Sequence, residues 1–152
     1  RARTRPYTPT RRAGSGARVE GPRNGWVAVY AELVDRDRRA RERLASELSN
    51  ATAAVACAIA VEDGAVVRYV LYERGSVVDE YQSVPEFWGP IPPGDVVALG
   101  ANATVVSRLT GAEPSRVRAV ARTASSPDEL PPPEELFAEL AGLLGLEGAG
   151  RG

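Results

Sequence analysis

The chain has 152 residues with 43% apolar and 26% charged positions and a net charge of −1, which fits one domain with a core that covers roughly 68–70% of the surface of the unfolded chain. All 19 basic residues are Arg, Cys57 is the single thiol, and Lys, His and Met are absent. That excludes a P-loop or Schiff-base lysine, an imidazole-dependent nucleophilic triad, a zinc site of soft ligands and an intrachain disulfide, so that acid–base chemistry falls to shifted carboxylates or a tyrosine.

No catalytic residue, metal or cofactor is therefore assigned, and the composition leans away from catalysis. No apolar run approaches the roughly 18 residues of a membrane span. The bias toward Arg, Ala, Gly, Val and Pro is that of GC-rich coding, so the missing lysine also fits mutational drift.

Charge is unevenly placed. Residues 1–25 hold seven Arg against one acid, Glu20, a net of +6, whereas residues 26–152 hold 12 Arg against 19 acids, a net of −7. The first stretch is rich in Pro and Gly, with Tyr7 its one aromatic, and reads as a basic flexible tail. It has no apolar h-region of a secretory signal, so a cytoplasmic location is expected. Residues 26–111 read as an α+β core domain, 112–146 as a helical segment and 147–152 as a second flexible tail.

The core opens with a β run from Trp26 to Val34, apolar on both faces. Asp35 can then cap a helix to Asn50, with Ala40, Leu44, Leu48 and Ala51 as its apolar stripe and the charges from Arg36 to Arg43 on the solvated side. Strands over 53–62 and 65–73 flank Asp63-Gly64, a strong two-residue hairpin signal, and a third over 76–83 follows Arg74-Gly75. With the turns so centred, residue i faces 127 − i in the first pair and 149 − i in the second. One face then collects Val55, Cys57, Ile59, Val70 and Tyr72 with Arg68, Asp79 and Tyr81 among them. The other carries Ala54, Ala56, Ala58 and Ala60 with Tyr69 and Leu71, and that alanine row leaves room for helix 36–50.

Residues 84–94 read as a Pro-rich loop around Phe87 and Trp88. Asp95 opens a helix to Thr110 that Gly111 stops, Ser115 caps another over 116–123, and Glu134–Leu144 is a final amphipathic helix after Pro131-Pro132-Pro133. The expected architecture is a single domain, β-α-β-β-β. Its mixed or antiparallel four-stranded sheet has one covering helix, and two or three C-terminal helices follow.

Trp26-Val27-Ala28-Val29-Tyr30, then Leu71 to Pro85 with the pattern L-Y-x-x-G-x-x-V-D-E-Y-x-S-x-P, then Gly94-Asp95 at a helix start, resemble a group of bacterial proteins of unknown function over residues 26–111. The resemblance implies no activity and lends no site residues. Where that group carries His-Asp in the turn after the second strand, this chain has Glu62-Asp63, which argues against a catalytic centre there.

Two constellations stand out as sites. In the expected register Arg68 lies opposite Tyr81 and diagonal to Asp79, with Tyr72 and Tyr30 near, and such a polar pocket could hold an anionic ligand. A partly buried ion pair at the sheet rim uses the same residues without any ligand. Phe87 and Trp88 among prolines are the best candidates for a partner surface, unless they fold back and plug the sheet face that holds Val70 and Tyr72.

The other charged groups read more plainly. Glu62, Asp63, Glu73, Glu80 and Glu86 read as solvated turn and edge charges, and the Arg-rich face at 36–43 as self-paired. Residues 1–23 could associate with nucleic acid by counterion release, although one aromatic is too few for stacking on single strands. The expected role is a non-enzymatic binding or regulatory protein with a protein partner or a homodimer, formed through the last strand or the C-terminal helix. The rivals are a small enzyme or ligand-binding protein using Arg68, Asp79 and Tyr81, and nucleic-acid association through the tail.

Overall fold

The computed structural model describes residues 18–23, 25–30 and 37–146; the rest of the two expected tails lies outside them. Strand β1 (Arg18–Arg23) pairs antiparallel with β2 (Trp26–Tyr30), Arg18 opposite Tyr30 and Arg23 opposite Trp26. Gly25, at φ +80°, takes a left-handed conformation at the connection that glycine adopts without steric cost.

Helix α1 (Arg38–Thr52) follows, capped by Asp37, whose carboxylate accepts the Ala40 N–H at 3.2 Å. Strands β3 (Val55–Glu62), β4 (Val66–Glu73) and β5 (Ser76–Gln82) then form an antiparallel sheet in the order β3-β4-β5. The architecture is thus α+β, but the expected four-stranded sheet is one of three strands. The Trp26 strand belongs instead to a separate two-stranded sheet with β1. Pairing across a tight connection closes a far shorter loop than pairing with the distant strands would.

Both expected hairpin turns form. Asp63 and Gly64 (φ +51° and +62°) and Arg74 and Gly75 (φ +51° and +81°) have the paired positive φ angles of type I′ turns, whose twist matches that of the strands. The register beyond them differs by one residue. At the first turn the Ala65 N–H bonds the Glu62 carbonyl at 3.0 Å, yet the ladder resumes with Glu62 opposite Val66, so Ala65 is an extra residue.

At the second turn Glu73 faces Ser76 and Tyr72 faces Val77 as expected. Val78 then bulges, and Leu71 faces Asp79, Tyr69 faces Tyr81 and Arg68 faces Gln82. Because side chains alternate along a strand, each one-residue slip carries the central strand's residues to the opposite face.

One face of the sheet therefore carries Val55, Cys57, Ile59 and Val61 of β3, Val67, Tyr69 and Leu71 of β4, and Tyr81 of β5. Among the described residues four α-helices follow the sheet: α2 (Pro93–Ala98), α3 (Ala103–Thr110), α4 (Pro114–Val120) and, after a 3₁₀ turn (Pro127–Glu129), α5 (Pro133–Leu144). Val106, Val117, Leu136, Leu140 and Leu144 close the main core against that face.

The opposite, alanine-lined face holds Ala56 and Ala58 with Val70 and Tyr72, and Ala45 of α1 packs there, as the small side chains predict. The helix expected over 95–110 is two helices. The Gln82 N–H holds the Leu99 carbonyl at 3.0 Å, and Asn102 caps α3 by accepting the N–H groups of Thr104 and Val105.

The Trp26 indole N–H donates to the Leu144 carbonyl at 3.0 Å, which ties the β1–β2 hairpin to the last turn of α5. The apolar face of α5 is spent inside the domain, with Leu136, Leu140, Ala141, Leu143 and Leu144 all buried. No helix among the described residues is long and apolar enough to cross a membrane.

Candidate functional site

The register decides what becomes of the four residues expected to line a pocket. Arg68 and Tyr72 lie on the alanine face under α1, whereas Tyr81 lies on the other face, against the C-terminal helices, with Asp79 opposite Leu71. The structure does not bring Arg68 to Asp79 or Tyr81; the pocket assembled from the expected register is divided between the two sides of the sheet.

Each side chain of that set is engaged by neighbours. The Arg68 guanidinium is buried and donates from Nη2 to Glu42 Oε1 at 2.6 Å and to Glu80 Oε2 at 3.1 Å. Burial works against its charge, but Glu42 and then Glu80 outweigh burial and raise its pKa above the ordinary arginine value. Burial likewise pushes the Tyr72 hydroxyl up to about 12.

Asp79 is buried as well; its Oδ2 accepts the Tyr69 hydroxyl at 2.7 Å and its Oδ1 the Asn102 N–H at 3.0 Å. Burial raises its pKa, and those hydrogen bonds pull it only partly back. Tyr81 stacks on Tyr69 with ring centroids 5.4 Å apart and donates to the Arg122 carbonyl at 2.7 Å. Cys57 faces the same core, where burial pushes its thiol up to about 12, far from a reactive thiolate.

The charged face of α1 is a second departure. Ala45 and Ser49 are its buried positions rather than Leu44 and Leu48, so the contact stripe is rotated and Arg38, Arg41 and Glu42 reach the sheet. Glu62 receives both Arg38 and Arg41, the latter at 2.6 Å. Burial alone would raise the Glu62 pKa, but Arg38 first and Arg41 next hold it below its ordinary 4.5. Small alanines bring the helix close, and long charged side chains then bridge the gap at its edges.

Of the other carboxylates read as solvated, Glu80 joins the Arg68 cluster, Glu73 meets Arg108 at 3.5 Å in the open, and Glu86 accepts the Ile91 N–H at 3.2 Å. Among the described residues no three His, Cys, Asp or Glu side chains gather as a metal would require.

Phe87 and Trp88 are different. They do not plug the sheet; they remain 38% and 49% exposed, although the loop that carries them is firmly rooted. The Ser83 Oγ accepts the Val67 N–H at 2.9 Å, the Ser83 N–H returns to the Val67 carbonyl at 2.9 Å, and the Gln82 side-chain amide donates to the carbonyls of Val84 and Pro85. Val84 is fully buried as the anchor, and Gly89, at φ +136°, permits a turn that a side chain would strain.

At the tip the Phe87 and Trp88 rings meet edge to face, with centroids 5.1 Å apart. The indole N–H donates to Asp63 Oδ2 at 2.7 Å, and the Arg38 guanidinium lies 5.1 Å from the Trp88 ring centre. The Asp63-Gly64 turn and the start of α1 therefore hold the indole from two sides. In the sequence the two aromatics were visible, but not the Asp63 and Arg38 that position them.

The alternative site at residues 1–23 falls outside the described residues up to position 17, and residues 18–23 are strand β1. The chain matches no family model, no curated protein and no solved structure, and the resemblance over residues 26–111 gains no support from those comparisons.

Proposed function

We propose that this chain is a non-enzymatic protein-interaction module whose contact surface is the Phe87–Trp88 projection. The observation that carries the reading is that two large aromatics stand half exposed on a loop whose base is buried and hydrogen-bonded, with the indole clamped by Asp63 and Arg38. Such residues bring a large apolar contact area, and their order is established before binding, so little conformational entropy remains to be lost. Aromatic anchors of this kind dominate the energetics of protein interfaces. The other polar side chains that suggested a ligand pocket, Arg68 and Asp79 above all, are occupied by Glu42, Glu80, Tyr69 and Asn102.

The test is a paired affinity isolation from native lysate with the full chain and with a Phe87→Ala/Trp88→Ala variant of matched circular dichroism. The expected result is a partner retained by the parent and lost by the variant. Retention of the same partners by both, or of none by either, contradicts the reading.

A further inference from the structure

Helices α3 and α4 are joined by the short turn Gly111-Ala112-Glu113. Gly111, at φ +78°, ends α3 in the left-handed conformation, and its N–H returns to the Ser107 carbonyl at 2.9 Å. Thr110 Oγ1 accepts the Ala112 N–H at 3.2 Å, and Pro114 then starts α4. Apolar residues on both sides of the turn lock the pair to the main core: Val106, Ala112, Val117 and Ala121 are buried there, with Leu109 and Val120 packed against them. Two short helices, a tight turn with a left-handed glycine and inward apolar residues flanking it make a helix–turn–helix unit.

The side that α4 turns outward is basic. Ser115, Arg116, Arg118 and Ala119 are exposed, and so is Arg122 just beyond the helix. Helical spacing puts the small Ser115 and Ala119 at the middle of that side, with Arg118 on one flank and Arg116 on the other. Glu62 neutralises Arg38 and Arg41 of α1, but among the described residues neither Arg116 nor Arg118 forms an ion pair. Arg122 reaches the Glu129 carbonyl at 3.5 Å, and Arg108 of α3 meets Glu73 at 3.5 Å with 58% of its side chain exposed. Residues 103–123 hold four Arg (108, 116, 118 and 122) against one acid, Glu113, a net of +3, inside a stretch, 26–152, whose net is −7. A positive patch on an acidic body directs a polyanion to that patch and away from the rest of the surface.

We infer that α3 and α4 form a second contact surface, which docks on duplex DNA with α4 in the major groove. The major groove of B-form DNA admits an α-helix, whereas that of duplex RNA is too deep and narrow for side chains to read. Ser115 and Ala119 let the helix approach closely. Arg118 presents a fork that matches guanine O6 and N7, and Arg108, Arg116 and Arg122 meet the phosphates beside the groove. This surface shares no residue with the Phe87–Trp88 projection and does not depend on its partner.

Fluorescence anisotropy with the full chain and a labelled random-sequence duplex of about 20 base pairs, followed across a salt series, tests the surface. The duplex is expected to bind at low salt and to be released steeply as salt rises. Arg116→Gln/Arg118→Gln weakens binding by about tenfold or more and makes the salt slope shallower by about two, one for each lost contact. Arg11→Gln/Arg12→Gln, in the basic stretch outside the described residues, is the control for simple charge and changes binding less. Selection from a randomised duplex pool enriches a guanine-containing sequence, and Arg118→Ala relaxes the preference at that guanine.

An Arg116→Gln/Arg118→Gln chain that binds as the parent does, while the Arg11→Gln/Arg12→Gln chain loses the duplex, overturns the inference. So do equal affinity for single-stranded DNA or duplex RNA of the same length, a pool that yields no enriched sequence, and no binding at low salt.

Discussion

At the scale of single residues, buried charge is used as mortar. Arg68→Ala leaves Glu42 and Glu80 facing each other under α1 without their shared cation. Because Glu80 keeps a side-chain exposure of 36%, the expected cost is at the low end for a broken buried pair, about 3 kcal/mol by denaturant titration. Asp79→Ala orphans the Tyr69 hydroxyl and the Asn102 N–H and costs about 2–4 kcal/mol, whereas Asp79→Asn keeps the shape and costs far less.

The two shifted carboxylates act on pH dependence with opposite signs. Asp79 has a folded pKa above its ordinary 3.8, so the stability it adds is present below 3.8 and is lost as pH rises through the folded value. Unfolding titrations should therefore show Asp79→Asn gaining on the parent chain as pH rises through that window. Glu62 is held below its ordinary 4.5, so its contribution is present above 4.5 and lost as pH falls through the folded value. Glu62→Gln should flatten the acid limb of the stability profile; an unchanged limb means that Arg38 and Arg41 do not stabilise the Glu62 carboxylate.

At the scale of elements, turns and patterning were legible and register was not. Asp63-Gly64 and Arg74-Gly75 announced both hairpins, and the alanines at 56 and 58 announced the close helix. The extra residue at Ala65 and the bulge at Val78 have no sequence signature of their own, yet they move Arg68 and Tyr72 from the face of Tyr81 to the face of α1. The hairpin at 18–30 lies where Arg, Pro and Gly content read as a tail, and its Asn24-Gly25 pair was not read as a turn. The α1 stripe was misread because Arg and Glu were assigned to solvent, while in the structure they pair across the sheet.

The close helix contact makes its own prediction. Ala58 is buried beside Ala45, so Ala58→Leu overpacks the layer and costs about 1–3 kcal/mol, read as a lowered unfolding midpoint. An unchanged midpoint shows that α1 is not seated on the alanine row.

At the scale of the whole molecule, the described residues build a core on each face of the β3-β4-β5 sheet. The larger is built from the C-terminal helices and the smaller from α1, and polar clusters rim the smaller one. The buried base of the 83–92 loop connects that scaffold to an exposed tip, where the Asp63 turn and Arg38 of α1 meet Trp88. The aromatics are thus held by the fold without being needed to fill it.

Denaturant unfolding of Phe87→Ala/Trp88→Ala measures that distinction directly. The account predicts a loss of about 1 kcal/mol, the size of an exposed hydrogen bond and a cation–π contact, from a chain that no longer retains its partner. A loss of about 3–5 kcal/mol per aromatic, as for a ring taken out of a core, would contradict it.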